Sequence, residues 1–199
     1  QLDALLIAMA ITLVAAFAVA HAMLPFLARK LERRGIVGID MNKPKKPKVS
    51  EMGGIAVVLG FAFGIALAIF LYSYLSLVEI NLTILLAGFS TVLLVGFLGI
   101  VDDLIGWKHG LRQWQHALVP LFAALPLMAI KINNPPMVLP FIGLLPAEYS
   151  LPLFGAFSFG FIYSLILVPI GITGASNAFN MLAGLNGLEA SLGIMCGAT

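Results

Sequence analysis

Charge is what this sequence has least of. Asp, Glu, Lys and Arg make up 10% of its 199 residues, against about 25% in a soluble globular domain. A chain so poor in charge cannot cover a water-facing surface, so lipid must cover most of it. With 61% hydrophobic residues and a mean hydropathy of +1.06, it reads as an integral membrane protein. A membrane β-barrel would show short alternating segments, whereas the apolar runs here are long and continuous. One cysteine, Cys196, excludes an internal disulfide. No His/Cys cluster has zinc spacing, and neither a Ser-His-Asp pattern nor a P-loop is present. There is no internal repeat or low-complexity segment, and no nucleic-acid partner is expected.

What remains is a series of apolar spans. Residues 5–27 form the first. Asp3 stands where a signal peptide would be basic, and the run is too long for a cleavable leader. His21 is expected as an interior or interfacial side chain, and Pro25 is expected to bend the helix end. Residues 29–51 hold eight of the eleven Lys and Arg residues, which makes this basic loop cytoplasmic by the positive-inside rule. Pro44 and Pro47 interrupt its lysines, so this part is extended rather than helical. It serves either as a topology signal and anchor for anionic lipid or as a phosphate site.

Residues 52–75 are the second span. Gly60 and Gly64 in it permit close helix contact. Residues 82–101 are the third, without a single charge, and end at Asp102 and Asp103. Residues 102–116 make a polar cytoplasmic segment, with Trp107 and Trp114 as interfacial anchors. Residues 117–130 are the fourth span. Residues 132–153 form an extracytoplasmic loop rich in proline, with room for a small hairpin. Residues 154–172 are the fifth span and deliver the cytoplasmic segment 174–189. A sixth begins at 192. The fold class is therefore all-α: one polytopic membrane domain over 1–199, with five complete spans and the start of a sixth.

This topology brings the segments 29–51, 102–116 and 174–189 to one face. They hold the Asp102–Asp103 pair, Asn177, Asn180, Asn186, Glu189 and several cations. Carboxylates and amide oxygens suit Mg²⁺, which takes few protein ligands and shares phosphate oxygens; nearby cations suit a diphosphate. The chemistry this implies is phosphoryl transfer between a nucleotide compound and a lipid. The rival reading is a transporter or channel with a carboxylate cation site on the cytoplasmic side. That reading calls for ionisable residues deep in the spans, where His21 alone is a modest candidate. A structural subunit docking through the Lys-Pro loop would leave the asparagine-rich segment unexplained. An intramembrane aspartyl protease needs acids on two helices.

The motifs Asp40-Met-Asn-Lys43, Lys48-Val-Ser-Glu-Met-Gly-Gly54, Gly99-Ile-Val-Asp-Asp103 and Asn177-Ala-Phe-Asn-Met-Leu-Ala-Gly-Leu-Asn-Gly-Leu-Glu189 stand in this order. With them the chain resembles the polyprenyl-phosphate N-acetylhexosamine-1-phosphate transferases, a glycosyltransferase family 4-like group. The likeness covers about residues 30–199 and is nearest the archaeal and eukaryotic dolichyl-phosphate GlcNAc-1-phosphate enzymes. Where the bacterial relatives carry Asp-Gly-Leu-Asp-Gly, this chain has Ala183-Gly-Leu-Asn-Gly187.

The resemblance implies transfer of GlcNAc-1-phosphate from UDP-GlcNAc to a polyprenyl (dolichyl) phosphate, with release of UMP. This would be the first step of lipid-linked oligosaccharide synthesis for N-glycosylation. It implies Mg²⁺, with Mn²⁺ as a substitute. Asp102 and Asp103 fall on the acidic pair that activates the acceptor or organises the metal, and Asn180 on a metal-holding asparagine. Asn186 falls at the nucleoside end of the donor site and Glu51 on the donor-loop glutamate. Lys48 and Asn42 belong to the substrate-binding set, and Arg112 and His116 compete for the diphosphate contact. Such enzymes have about ten spans and a further aspartate and basic loop beyond the matched region. The resemblance thus makes this chain an N-terminal portion, expected to be inactive alone. It leaves room for a homodimer. The active face is expected to be cytoplasmic, on the plasma membrane of a prokaryote or the endoplasmic reticulum of a eukaryote.

Overall fold

The computed structural model describes residues 2–75, 81–109, 118, 120–130, 137–139, 143–145, 148–151, 155–158, 163–181 and 187–198. Among them, four helical stretches are long and apolar enough to cross a membrane: Asp3–Arg33, Gly54–Leu75, Leu82–Leu104 and Tyr163–Met181. The chain is a predominantly helical, polytopic membrane protein. Its contacts group into two compact units. One comprises Gln1–Leu82, Gly96–Gly110 and Gly184–Thr199, the other Thr83–Val95 and Leu111–Ala183.

In the first unit, α1 (Leu2–Arg33) is a 32-residue helix with Pro25 inside it. Residues 29–33, expected in the basic loop, are its last turn. Gly35 ends it in the left-handed conformation, φ +74°. The Gly35 N–H donates to Glu32 O at 3.0 Å, and the Ile36 N–H to Leu31 O at 3.0 Å. This pair of bonds is a Schellman cap, which satisfies carbonyls a helix end would otherwise leave open. Lys30 and Arg33 in the last turn complement the negative end of the helix dipole.

The chain then forms a hairpin of β1 (Val37–Ile39) and β2 (Lys48–Ser50), with Gly38 opposite Val49. The Lys-Pro stretch is not helical, but it is not extended either: residues 41–45 are turns, the Lys46 N–H donates to Lys43 O at 2.9 Å, and Lys46 is left-handed with φ +43°, so only Lys48 onward is strand. Next, α2 (Gly54–Leu75) packs along α1. Ala56, Gly60 and Gly64 are its buried residues, four apart and so on one face. Gly60 and Gly64 meet the equivalent stripe Thr12, Ala16 and Ala20 of α1. The expected small-residue contact is present, and its partner is the first span. No large side chain is fully buried among the described residues. Most Leu, Ile, Val and Phe face outward, as is normal where the surroundings are hydrocarbon and helices associate by close backbone packing.

α3 (Leu82–His109) spans 28 residues, about 42 Å at 1.5 Å per residue. It carries Asp102 and Asp103 within it, which corrects the expectation that residue 101 ends the helix and residues 102–116 are a loop. Asp-Asp-Leu-Ile contains no helix breaker, and Gly106 costs a helix only about 1 kcal/mol. Residues 110–116 lie outside the described part. The short α6 (Leu188–Ala198) also belongs to the first unit and begins before residue 192, where the sixth apolar segment was expected.

The all-α expectation fails locally in both units: the β1–β2 hairpin breaks it in the first, and two more hairpins break it in the second. β3 (Met137–Leu139) pairs with β4 (Gly143–Leu145), as the proline-rich loop suggested. β5 (Glu148–Leu151) pairs with β6 (Gly155–Ser158), which consumes the start of the expected fifth span. The helical segment there runs over Tyr163–Met181 instead of 154–172. It opens with a π-helical turn, Tyr163–Leu167, and continues as α5 (Val168–Met181). Pro169 has no N–H, and its ring crowds the carbonyl four residues back; the wider π turn accommodates both. The expected fourth span, 117–130, is not one continuous helix among the described residues. A turn at Ala124 precedes α4 (Leu125–Ala129), with Pro126 in its first turn. α4 lies against α5 and the π turn.

Candidate functional site

The acidic pair sits on the second half of α3, which approaches α2 at Gly96. A Cβ there would stand 2.9 Å from Val58 Cγ2, so a larger residue would push the Val58 side chain aside. Adjacent helix positions point about 100° apart, and the two acids differ accordingly. Asp102 is half-buried, with its Oδ1 shielded from solvent, while Asp103 is exposed.

Glu51 follows β2 directly, and its carboxylate rests on the Cα of Gly38 in the facing strand. The next residue, Met52, turns the chain into α2 with φ +65°. That conformation is unfavourable for a side-chain-bearing residue and tends to persist where the surroundings over-determine it. Glycine in β1 leaves room for the Glu51 carboxylate, and a left-handed turn follows it. The Asp103 carboxyl lies in the negative fields of both Asp102 and Glu51. Three of the expected site residues therefore meet in one unit.

The hairpin loop between β1 and β2 is organised by Asp40. Its Oδ1 accepts the Asn42 N–H at 3.1 Å. Its Oδ2 pairs with Lys43 Nζ at 3.2 Å, and the Asp40 side chain is only 7% exposed. Its own N–H donates to Pro47 O at 3.0 Å, closing the loop. Asn42 is exposed here, and Lys48 is exposed on β2.

Asn177 and Asn180 belong to the second unit, on α5. The Asn177 Nδ2–H donates to Thr173 O at 2.9 Å, which leaves its amide oxygen available as an acceptor. Asn180 is exposed and, three residues on, shares that side of the helix. Glu189 is exposed at the start of α6, in the first unit. Arg112, His116 and Asn186 lie outside the described residues.

Among the described residues no three His, Cys, Asp or Glu side chains form a metal cage. Mg²⁺ does not need one. It is usually held by one or two carboxylates, with phosphate and water oxygens completing an octahedron. Asp102 and Asp103 supply that number of hard oxygen donors, and Glu51 adds to the local negative field. The residues present fit the ion.

Reading the sequence gave no role to Gly38, and Asp40 entered only as part of a motif. Gly38 could have been found from the glycine inside an otherwise β-branched strand, a recognised mark of close approach. The only signal for Asp40 was Asp-x-Asn-Lys, a side chain placed to bond the backbone two residues on.

Comparison with known proteins adds the following. The model of the family described as glycosyl transferase family 4 matches residues 85–199. The provisionally named UDP-N-acetylglucosamine–dolichyl-phosphate N-acetylglucosaminephosphotransferase of Saccharolobus solfataricus is 32% identical over 190 residues. That alignment covers 96% of this chain and 52% of the relative. A protein of the same provisional name from Sulfolobus acidocaldarius is 35% identical over 167 residues, covering 82% of this chain and 44% of the relative. The Dictyostelium discoideum UDP-N-acetylglucosamine–dolichyl-phosphate N-acetylglucosaminephosphotransferase is 28% identical over 176 residues, covering 85% and 41%. The chain spans about half the length of these curated relatives.

Proposed function

The chain belongs to glycosyl transferase family 4, and we propose that the complete protein transfers GlcNAc-1-phosphate from UDP-GlcNAc to a polyprenyl phosphate of the dolichyl type. An oxygen of the acceptor phosphate forms a bond to the sugar-bearing phosphorus of the donor. The diphosphate P–O bond breaks, and UMP leaves. The observation that carries this reading is the meeting of Glu51, Asp102 and Asp103 at the end of a membrane-crossing helix, together with the names of the relatives.

In this reading the roles divide by element. The Asp102–Asp103 pair faces the acceptor phosphate and takes up its proton where it arrives protonated. Mg²⁺, for which the pair supplies carboxylate oxygens, would neutralise charge on the diphosphate; the resemblance also assigns Asn180 a metal-holding role. Glu51, Lys48 and Asn42 on the hairpin side bind the donor, with Asn186 at its nucleoside end and Arg112 or His116 on the diphosphate. Hydrocarbon on one side of the helix ends keeps the polyprenyl chain in lipid while its phosphate meets a water-soluble donor.

The membrane topology that suits this chemistry has five crossings and the start of a sixth: the four long apolar helices and, as the fourth crossing, the broken helical segment within residues 117–130. Segments 29–51, 102–116 and 174–189 then face the cytoplasm, and 132–153 the outside. The basic residues before β1 support that orientation.

The test is a transferase assay on the complete protein with labelled UDP-GlcNAc and dolichyl phosphate. The expected result is UMP release with formation of a lipid-linked GlcNAc diphosphate. Asp102→Asn and Asn180→Ala should each abolish turnover at near-normal expression. Wild-type rates in both would overturn the assignment. Competition with UDP-GalNAc and UDP-MurNAc-pentapeptide identifies the donor.

A further inference from the structure

The last turns of α1 carry a feature that the transfer reaction does not use. Phe26, Arg29, Lys30 and Arg33 stand at positions i, i+3, i+4 and i+7, one stripe along the helix. They line a shallow cavity of about 250 Å³. Each side chain has an observable disposition. The Arg29 Nε–H donates to Pro25 O at 3.1 Å, which turns the guanidinium back toward the apolar part of the helix and leaves its outer N–H groups as donors. The Lys30 ammonium stands over the Phe26 ring, 5.7 Å from its centroid, within cation–π range. Among the described residues none of the three cations has an ion-pair partner; Lys43 with Asp40 is the ion pair there.

Helix physics accounts for one cation at a helix C-terminus, where it meets the dipole. The positive-inside rule accounts for cations after a span, but neither rule sets three of them on one stripe around an exposed aromatic ring. Phe26 is 47% exposed and lies at the end of a membrane-crossing helix, where hydrocarbon gives way to headgroups. A soluble anion would gain nothing from the ring or from this depth. A lipid would gain from both: its phosphate accepts bonds from the arginine forks, and its chains lie on the outward apolar residues of α1, among them Phe17 and Leu24.

We propose that this groove is a binding site for the phosphate headgroup of an anionic membrane phospholipid. It is separate from the acid pair and independent of the transferase reading. The lipid neutralises the three cations and seats the cytoplasmic-side end of α1 at a fixed depth.

The test is native mass spectrometry of the delipidated complete protein in detergent, titrated with phosphatidylglycerol, with phosphatidylcholine, or with inorganic phosphate. A basic residue near an anionic lipid surface contributes about a fivefold change in affinity, and three contribute about 100-fold. Wild type should hold one phosphatidylglycerol about 100-fold more tightly than phosphatidylcholine, and millimolar inorganic phosphate should not displace it. The triple variant Arg29→Gln, Lys30→Gln, Arg33→Gln should bring the two lipids to near equality. An equal-charge control, Arg34→Gln, Lys45→Gln, Lys46→Gln, should keep the preference. Phe26→Ala should weaken phosphatidylglycerol several-fold while retaining its preference over phosphatidylcholine, which separates loss of the ring from misfolding. The proposal is overturned if the control loses as much as the triple variant, if the triple variant keeps its preference, or if inorganic phosphate displaces the lipid.

Discussion

Replacing Gly64 by alanine tests the α1–α2 seam on which the first unit is built. The added Cβ would stand 2.8 Å from the Cβ of Ala16, while Thr12 O and Ala16 Cα lie at 3.5 and 3.7 Å. Carbon atoms rest about 3.5–4.0 Å apart, so the helices must part by roughly 1 Å or the methyl must overlap. Neither atom belongs to a flexible side chain that could move aside. Overpacking of this kind costs about 1–3 kcal/mol. Only one contact is too short, and removing it should remove the cost: Ala16→Gly in the same chain should restore wild-type stability. Gly60 differs. Its added Cβ would meet Ala16 O at 2.7 Å and Ala20 Cβ at 2.8 Å. Ala20→Gly removes the second contact but not the backbone carbonyl, so Gly60→Ala should be rescued only in part. The assay is the thermal midpoint of the detergent-solubilised complete protein, followed by size-exclusion fluorescence, for the singles and the doubles. Equal rescue at both positions, or no loss in Gly64→Ala alone, would refute the seam as described.

Gly38→Ala should disturb function more than stability. The methyl collides with the Glu51 carboxylate, which can swing away at little cost but then leaves its place beside Asp103. If Glu51 holds the donor, the KM for UDP-GlcNAc should rise about tenfold or more with the thermal midpoint within about 2 °C of wild type; an unchanged KM removes Glu51 from the donor site. Asp40→Ala removes the acceptor that closes the hairpin loop and should speed tryptic cleavage after Lys45 several-fold, while a cleavage rate equal to wild type would mean the backbone bonds alone hold the loop. Asp103→Asn should abolish transfer yet slightly stabilise the metal-free protein, by no more than about 1 kcal/mol after solvent screening, because it removes the cost of partly burying a charged carboxylate and then the repulsion from Asp102 and Glu51. Millimolar Mg²⁺ should erase that advantage, and a variant less stable than wild type without metal would contradict the charge cluster.

The parts of this structure legible in the sequence are those governed by periodicity and composition. Gly60 and Gly64 announced close helix contact, and the seam is where they placed it. Pro44 and Pro47 ruled out helix, and a hairpin stands there. The ends of elements were harder. Arg29 to Arg33 looked like loop because charge usually follows a span, but the signal that ends α1 is Gly35, two residues past its last helical position. Asp102 looked like an exit from the helix for the same reason, and α3 continues to His109. Residues 155–158 are apolar enough to pass for the start of a span, yet they pair with Glu148–Leu151, and short apolar runs do not distinguish strand from helix. In the candidate site, the acid pair and Glu51 were visible by type and motif order. The contact of Glu51 with Gly38 was not, because the register of a hairpin is set by pairing across it rather than by either strand alone.

Clustering like charges in a chain with so few charges works against stability, and the arrangement of the first unit shows how that can be tolerated. Asp102 and Asp103 sit on adjacent positions of α3, which approaches α2 where Gly96 faces Val58. Glu51 stands between Gly38 and the left-handed turn at Met52. Two acids on one helix cannot separate to relieve their repulsion, so it is relieved by whatever positive charge enters. A floppy site would relax on its own and gain little from a cation; a rigid one keeps its affinity for the cation in reserve. The small-residue seam between α1 and α2 supplies that rigidity without large buried side chains, which a lipid-facing bundle cannot use as a driving force. On this view the glycines of the first unit and its carboxylates are one device. The glycines bring backbone close enough to hold acids together, and the acids make the binding of a divalent ion and its phosphates the way to settle the charge.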